Sequence, residues 1–147
     1  MSLRLSDVST LAAGIDRLAR WLTRETPRSL SLSTLSALAR LESEGPLRVS
    51  DLTQREALTQ PGMTVLVNRL AEAGLAERVP DPTDRRAALV RVTDTGRALL
   101  ADRRDARARV LRDRLVQLDE HDRDLLMAAL PAIERLIATS ETTTRKK

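Results

Sequence analysis

The stretch Asp81-Pro82-Thr83-Asp84-Arg85-Arg86 lies between two short β-prone runs, Leu75 to Val79 and Ala88 to Val92. Pro80-Asp81-Pro82 breaks the first run, and Leu89, Val90 and Val92 give the second its strand character. The pattern predicts a tight β-hairpin with two arginines at its tip. Thr93-Asp94-Thr95-Gly96 follows, with Thr93 placed to cap a long helix. An arginine-tipped hairpin beside a helix–turn–helix suits a DNA groove, where phosphates focus negative potential.

The segment upstream of the hairpin reads as helical. Val8, Leu11, Ile15, Leu18 and Leu22 step by three and four, one apolar stripe on a helix over 6–26 that Pro27 ends. Leu32, Leu35, Leu38 and Leu41 mark a second helix, stopped by Gly45-Pro46. Ser50 is expected to cap a short helix from Asp51 to Glu56, and Ala57-Leu58 to turn the chain. Thr59 can cap the next helix, which tolerates Pro61 in its first turn and ends at Ala73, with Gly74 as its left-handed C-terminal residue. Met63, Leu66, Val67 and Leu70 form the buried stripe of that helix.

Downstream, a long helix is expected from Thr93 to Leu118, and Asp119 can cap a last helix. There Leu126, Leu130, Ile133 and Ile137 share a face, and Pro131 lies inside the pattern, where a kink is expected. Residues 140–147 read as a flexible basic tail. The expected architecture is mainly α with a small β-hairpin wing. Residues 30–97 form a winged helix-turn-helix, and 6–29 with 98–139 form helical dimerisation regions. The outer helices cannot bury their stripes well alone, whereas a second copy would cover them, so a two-fold homodimer is expected.

Composition narrows the function. The chain has 147 residues and a net charge of +4, with 41% hydrophobic residues but aromatic content of only 1%, all of it Trp21. The core must therefore be aliphatic, which suits packed helices. There are no cysteines and one histidine, His121, so thiol chemistry and a His-based triad are excluded, no metal site or cofactor is expected, and no glycine-rich phosphate loop is present. An enzyme is not expected. No apolar stretch approaches membrane-spanning length and the N-terminus carries no signal pattern, so a cytoplasmic protein is expected. Seven arginines face three aspartates over 97–116, and most of these arginines read as a solvated face, with some free to meet acids of a partner subunit.

The helix beginning at Thr59 would lie in the major groove with its N-terminal N–H groups toward a phosphate. Gln60, Thr64 and Asn68 offer hydrogen bonds to base edges, and Val65 can touch a thymine methyl. Ser50, Pro61 and Arg69 complete the expected contacts on this side. Arg85 is expected at a phosphate and Arg86 in the minor groove. Asp84, acidic in such a loop, is expected to orient an arginine, either Arg86 or Arg78.

The stretch Leu75 to Leu100, LAERVPDPTDRRAALVRVTDTGRALL, resembles the wing signature of the MarR family of transcriptional regulators, and MTVLVNRLAEAGL resembles that family's recognition helix. Asp84-Arg85-Arg86 matches the family's D-x-R, and Thr93 to Gly96 its T-x-x-G. The resemblance implies a dimeric winged helix binding a palindromic or near-palindromic operator of double-stranded DNA, with Arg86 as the minor-groove arginine. Val65 departs from the arginine frequent in relatives, and Gln60-Pro61-Gly62 is an unusual helix start, so base preference is not carried over. Many relatives take a small aromatic or phenolic effector between the dimerisation helices and the DNA-binding lobe, which points to Arg17 and Trp21 as pocket residues. Trp21 packing at the edge of a dimer core is the competing reading. A homodimeric, ligand-responsive repressor is thus the leading expectation. The alternative is a winged-helix protein-interaction module without specific DNA binding.

Overall fold

The computed structural model describes residues 4–27, 30–84 and 86–144, the last six of these by backbone alone. The chain is mainly helical with a small antiparallel sheet and divides into two compact units, with the boundary after Arg107.

The first unit opens with α1 (Leu5–Glu25), closed by Thr26, and continues with α2 (Leu32–Glu44), capped by the Ser31 hydroxyl, which accepts the Thr34 N–H at 3.2 Å. A two-residue strand β1 (Leu47–Arg48) leads directly into α3 (Val49–Arg55), and α4 (Gln60–Glu72) follows a turn in which Ala57 has φ +51°. Strands β2 (Ala76–Pro80) and β3 (Ala88–Val92) form the hairpin, and α5 (Asp94–Leu115) leaves it. The sheet order is β1-β3-β2, with Leu47 opposite Val90 and Arg78 also opposite Val90 from the other side.

Strand β1 has too few residues to show a periodicity in the sequence. Its pairing explains one correction: Ser50 is not the cap of α3. Arg48 holds the extended N-cap position (φ −69°, ψ 150°) as it leaves the sheet, so the helix starts at Val49, ahead of the expected Asp51, and Ser50 falls inside its first turn. Thr59 does cap α4, accepting the Gly62 N–H at 3.2 Å, and Gly74 takes φ +69° at its far end.

The core is aliphatic. Leu38, Leu41, Leu52, Met63, Val67, Leu70, Val90 and Val92 are all 2% exposed or less. Each such side chain contributes about 2 kcal/mol of apolar burial. Leu32 differs from its expected place in the α2 stripe: it is the first residue of the helix and remains 62% exposed. The T-x-x-G segment has a clear physical cause. Thr93 donates its N–H to the Leu75 carbonyl (3.0 Å) and its hydroxyl to the Gly74 carbonyl (2.6 Å), and the same hydroxyl accepts the Gly96 N–H at 3.1 Å. This draws α5 so close that a Cβ on Gly96 would lie 2.2 Å from the Leu75 oxygen.

The second unit comprises the end of α5 and α6 (Glu120–Thr144). Helix α5 stops at Leu115, short of the expected Leu118, and Asp119 caps α6 by accepting the Asp122 N–H at 2.8 Å. Helix α6 continues through Pro131. Leu126, Leu130, Ile133 and Ile137 are 46–57% exposed, and on α1 Leu5, Val8, Leu11, Ile15 and Leu18 are 42–80% exposed. Among the described residues no helix is long and apolar enough to cross a membrane.

Candidate nucleic-acid interface

Helix α4 owes its two faces to spacing. Met63, Leu66, Val67 and Leu70 turn into the core, which leaves Gln60, Pro61, Thr64, Val65, Asn68 and Arg69 exposed together on the outer side. Val65 is half exposed, an apolar patch in a polar row. The Thr64 hydroxyl donates to the Gln60 carbonyl at 3.0 Å, so its lone pairs are what it offers outward. Asn68 is engaged: its Oδ1 accepts Arg78 Nη2 at 3.1 Å across from β2. Ser50, in the first turn of α3, is also exposed.

The wing is braced from its base. Asp81 is buried at 5% exposure, and Arg48 donates to its Oδ2 through both Nε (2.9 Å) and Nη2 (2.6 Å). The other oxygen accepts the Thr83 hydroxyl at 2.7 Å and the Thr83 N–H at 2.8 Å. These bonds hold the Asp81 carboxyl well below the usual carboxylate range, the Thr83 hydroxyl first, then the Thr83 N–H and Arg48. The loop then closes on itself, with Asp81 N–H donating to the Ala87 carbonyl and Ala87 N–H to the Asp84 carbonyl.

Asp84 does not take the side-chain partners expected of it. Its Oδ1 accepts the backbone N–H of Arg86 at 3.0 Å, its Oδ2 stands 3.9 Å from Arg48, and Arg78 is bonded to Asn68 instead. Arg86 is exposed at the tip; Arg85 lies outside the described residues. The missed residues are Arg48 and Asp81. They are 33 positions apart and meet only because β1 pairs with β3, so local sequence pattern carries no sign of them.

Charge is sorted by these contacts. Glu77 pairs with Arg91 across the sheet (2.6 Å), Glu56 with Arg40 (2.6 Å) and Asp81 with Arg48, while Arg55 pairs with Glu44. Among the described residues, Arg69, Arg78 and Arg86 have no carboxylate within ion-pair distance. The acids of the winged region are thus largely matched by its own arginines, and the cations left over lie on α4, β2 and the hairpin tip.

Two clefts border α5. One, of about 350 Å³, has Leu32, Leu35, Ala39 and Leu100 beside Arg103 and Arg107. Arg107 Nε is buried with no hydrogen-bond partner among the described residues. Arg103 donates to the Pro27 carbonyl at 3.2 Å, and burial, with the neighbouring Arg107 guanidinium, presses its pKa down. Arg104 is bonded to Glu42 at 2.7 Å. The second cleft, about 410 Å³, is formed by Thr26, Pro27, Leu99 and their neighbours. Trp21 is half-buried and Arg17 exposed, and neither lines these clefts.

A short helix, a turn, an exposed helix and a braced arginine-bearing hairpin define a winged helix-turn-helix. The MarR family model matches residues 19–87. An HTH-type transcriptional regulator of Mycobacterium leprae is 40% identical over 133 residues, which cover 90% of this chain and 93% of that protein. The structure of RV1404 from Mycobacterium tuberculosis superposes with a TM-score of 0.79 at 23% identity, over 93% of this chain and 97% of that one. A MarR family protein from Bacillus stearothermophilus has a TM-score of 0.74 at 21% identity, over 93% and 99% of the two chains. The chain belongs to the MarR family of winged helix-turn-helix transcriptional regulators.

Proposed function

We propose that this regulator is a homodimeric repressor that binds a palindromic or near-palindromic operator, with one α4 in the major groove and one Arg86 in the minor groove of each half-site. The observation that carries the reading is the contrast in surface: Arg69, Arg78 and Arg86 on the winged region, without a carboxylate partner among the described residues, and open apolar stripes on α1 and α6. The stripes favour a second copy, and two copies provide two recognition helices. Spacing near one DNA turn, roughly 34–36 Å, would then let both read one site. The expected contacts are Ser50, Gln60, Pro61, Thr64, Val65, Asn68, Arg69, Arg85 and Arg86. The clasp of Arg48 on Asp81 holds the wing for them.

The test is fluorescence anisotropy with DNA flanking the chain's own gene, at low salt and then at rising salt. Tight, salt-dependent and sequence-selective binding is expected. Binding to no such fragment at low salt would leave the alternative, a winged-helix module for protein partners.

Release by a small aromatic or phenolic acid completes the proposal. An effector favouring dimers with the wrong lobe spacing would lower operator affinity. Arg107 Nε, buried without a hydrogen-bond partner among the described residues and beside an apolar wall, favours the cleft between α2 and α5 as the anchor over the expected Arg17 and Trp21. Benzoate at millimolar concentration should weaken operator binding by the native chain and leave Arg107→Ala unaffected. Equal response in both places the effector elsewhere.

A further inference from the structure

The bond between Arg78 and Asn68 bears on which base the protein reads. Arg78 is fixed in register by the hairpin, opposite Val90, and its guanidinium reaches across to α4, where Nη2 donates to Asn68 Oδ1 at 3.1 Å. Both residues are exposed, and Asn68 is on the side of α4 that faces away from the core. A guanidinium has donors only, so it must face the oxygen of the Asn68 amide, and the amide nitrogen is the end left outward.

An asparagine reads adenine by using both ends: the oxygen accepts from the adenine N6 amine and the nitrogen donates to N7. Here the oxygen is occupied. Its second lone pair lies beside a cation, where an incoming amine would meet the Arg78 N–H groups, donor against donor. Guanine presents the opposite pattern, with acceptors at both N7 and O6. The Asn68 nitrogen and the remaining Arg78 N–H groups together offer donors to both.

We propose that Arg78 and Asn68 act as one composite donor pair that selects guanine, and that Arg78 is the residue that turns Asn68 away from adenine. This rests on α4 entering the major groove. It gives Asn68 a base preference opposite to the one its residue type favours.

Selection from a pool of randomised duplexes tests it, using the full chain in three forms: native, Asn68→Ala and Arg78→Met. Both substitutions are at exposed positions, and unchanged melting temperatures would show that the fold is kept. The position read by Asn68 is the symmetry-related pair at which Asn68→Ala loses its selection. The native chain should prefer guanine over adenine there by about tenfold, within the range of one bidentate contact. Arg78→Met should lose that preference or shift it toward adenine, because the amide oxygen is freed. If Arg78→Met binds more weakly on all sequences with the base preference unchanged, Arg78 is a phosphate contact and the proposal fails. It also fails if the native chain selects adenine at that position. Absence of any sequence selection by the native chain removes the DNA-reading proposal itself, and this one with it.

Discussion

The winged region and the outer helices solve the same problem in opposite ways. In the winged region each apolar face meets another from the same chain: Leu38 and Leu41 of α2, Leu52 of α3, Met63 and Val67 of α4 and Val90 of β3 are essentially sealed from water. On α1 and α6 the stripes have the same helical spacing and the same residue types, yet Leu11 is 60% exposed and Ile137 57%. Hydrophobic periodicity therefore does not by itself say whether a face is covered by its own chain. The difference marks the outer stripes as the surface on which a second copy is proposed to pack.

Substitutions can break that contrast, and the outer stripe should give the largest effect on function. Ile133→Glu puts a charge where a second copy is proposed to pack. Sedimentation equilibrium should show monomers, and operator affinity should fall by about a hundredfold or more, because a monomer loses the second half-site. A dimer that survives with native affinity would show that α6 is not the covering surface. In the sealed core, Leu38→Ala should lower unfolding stability by about 3 kcal/mol through a cavity that its neighbours cannot fill. Urea denaturation reads this directly, and a cost below about 1 kcal/mol would mean the site collapses around the smaller side chain.

The wing should give a smaller, purely functional loss. Arg86→Ala removes a cation that the fold does not use, so the melting temperature should not move while operator affinity drops about tenfold, roughly 1.4 kcal/mol. An unchanged affinity would take the hairpin tip out of DNA contact.

The smallest effect is a pH dependence at the base of the wing. The Asp81 carboxyl is held below its ordinary range in the folded chain, so its contribution to stability is complete above the unfolded value, near pH 4, and is lost as pH falls toward the folded one. Thermal melts between pH 6 and 5 should show nothing from this group, and melts below pH 4 a progressive loss that Asp81→Asn lacks. An identical acid profile in the variant would mean that the Thr83 and Arg48 bonds do not survive in solution.

Most of the helices, the hairpin and the turn glycine Gly74 were legible in the sequence because each depends on neighbours a few residues away: a 3.6-residue stripe, a capping hydroxyl at Thr59, a break at Pro80-Asp81-Pro82. The outward row of α4 followed from the same spacing. What stayed hidden was long-range. Strand β1 is two residues with no period to detect, and its pairing with β3 moved the start of α3 from the expected Ser50 cap to Arg48. The same pairing brought Arg48 to Asp81, so the buried carboxylate in the wing is Asp81, while Asp84 makes a local bond to the Arg86 backbone.

The local pattern of the chain was thus enough to settle a winged helix-turn-helix with arginines at its hairpin tip, because caps, turns and amphipathic faces are short-range consequences of residue type. Only the tertiary structure decided which charges remain free. Ion pairing depends on distance between side chains far apart in sequence, and burial at the wing base commits Arg48 and Asp81 to each other while leaving Arg69, Arg78 and Arg86 without an acidic partner among the described residues.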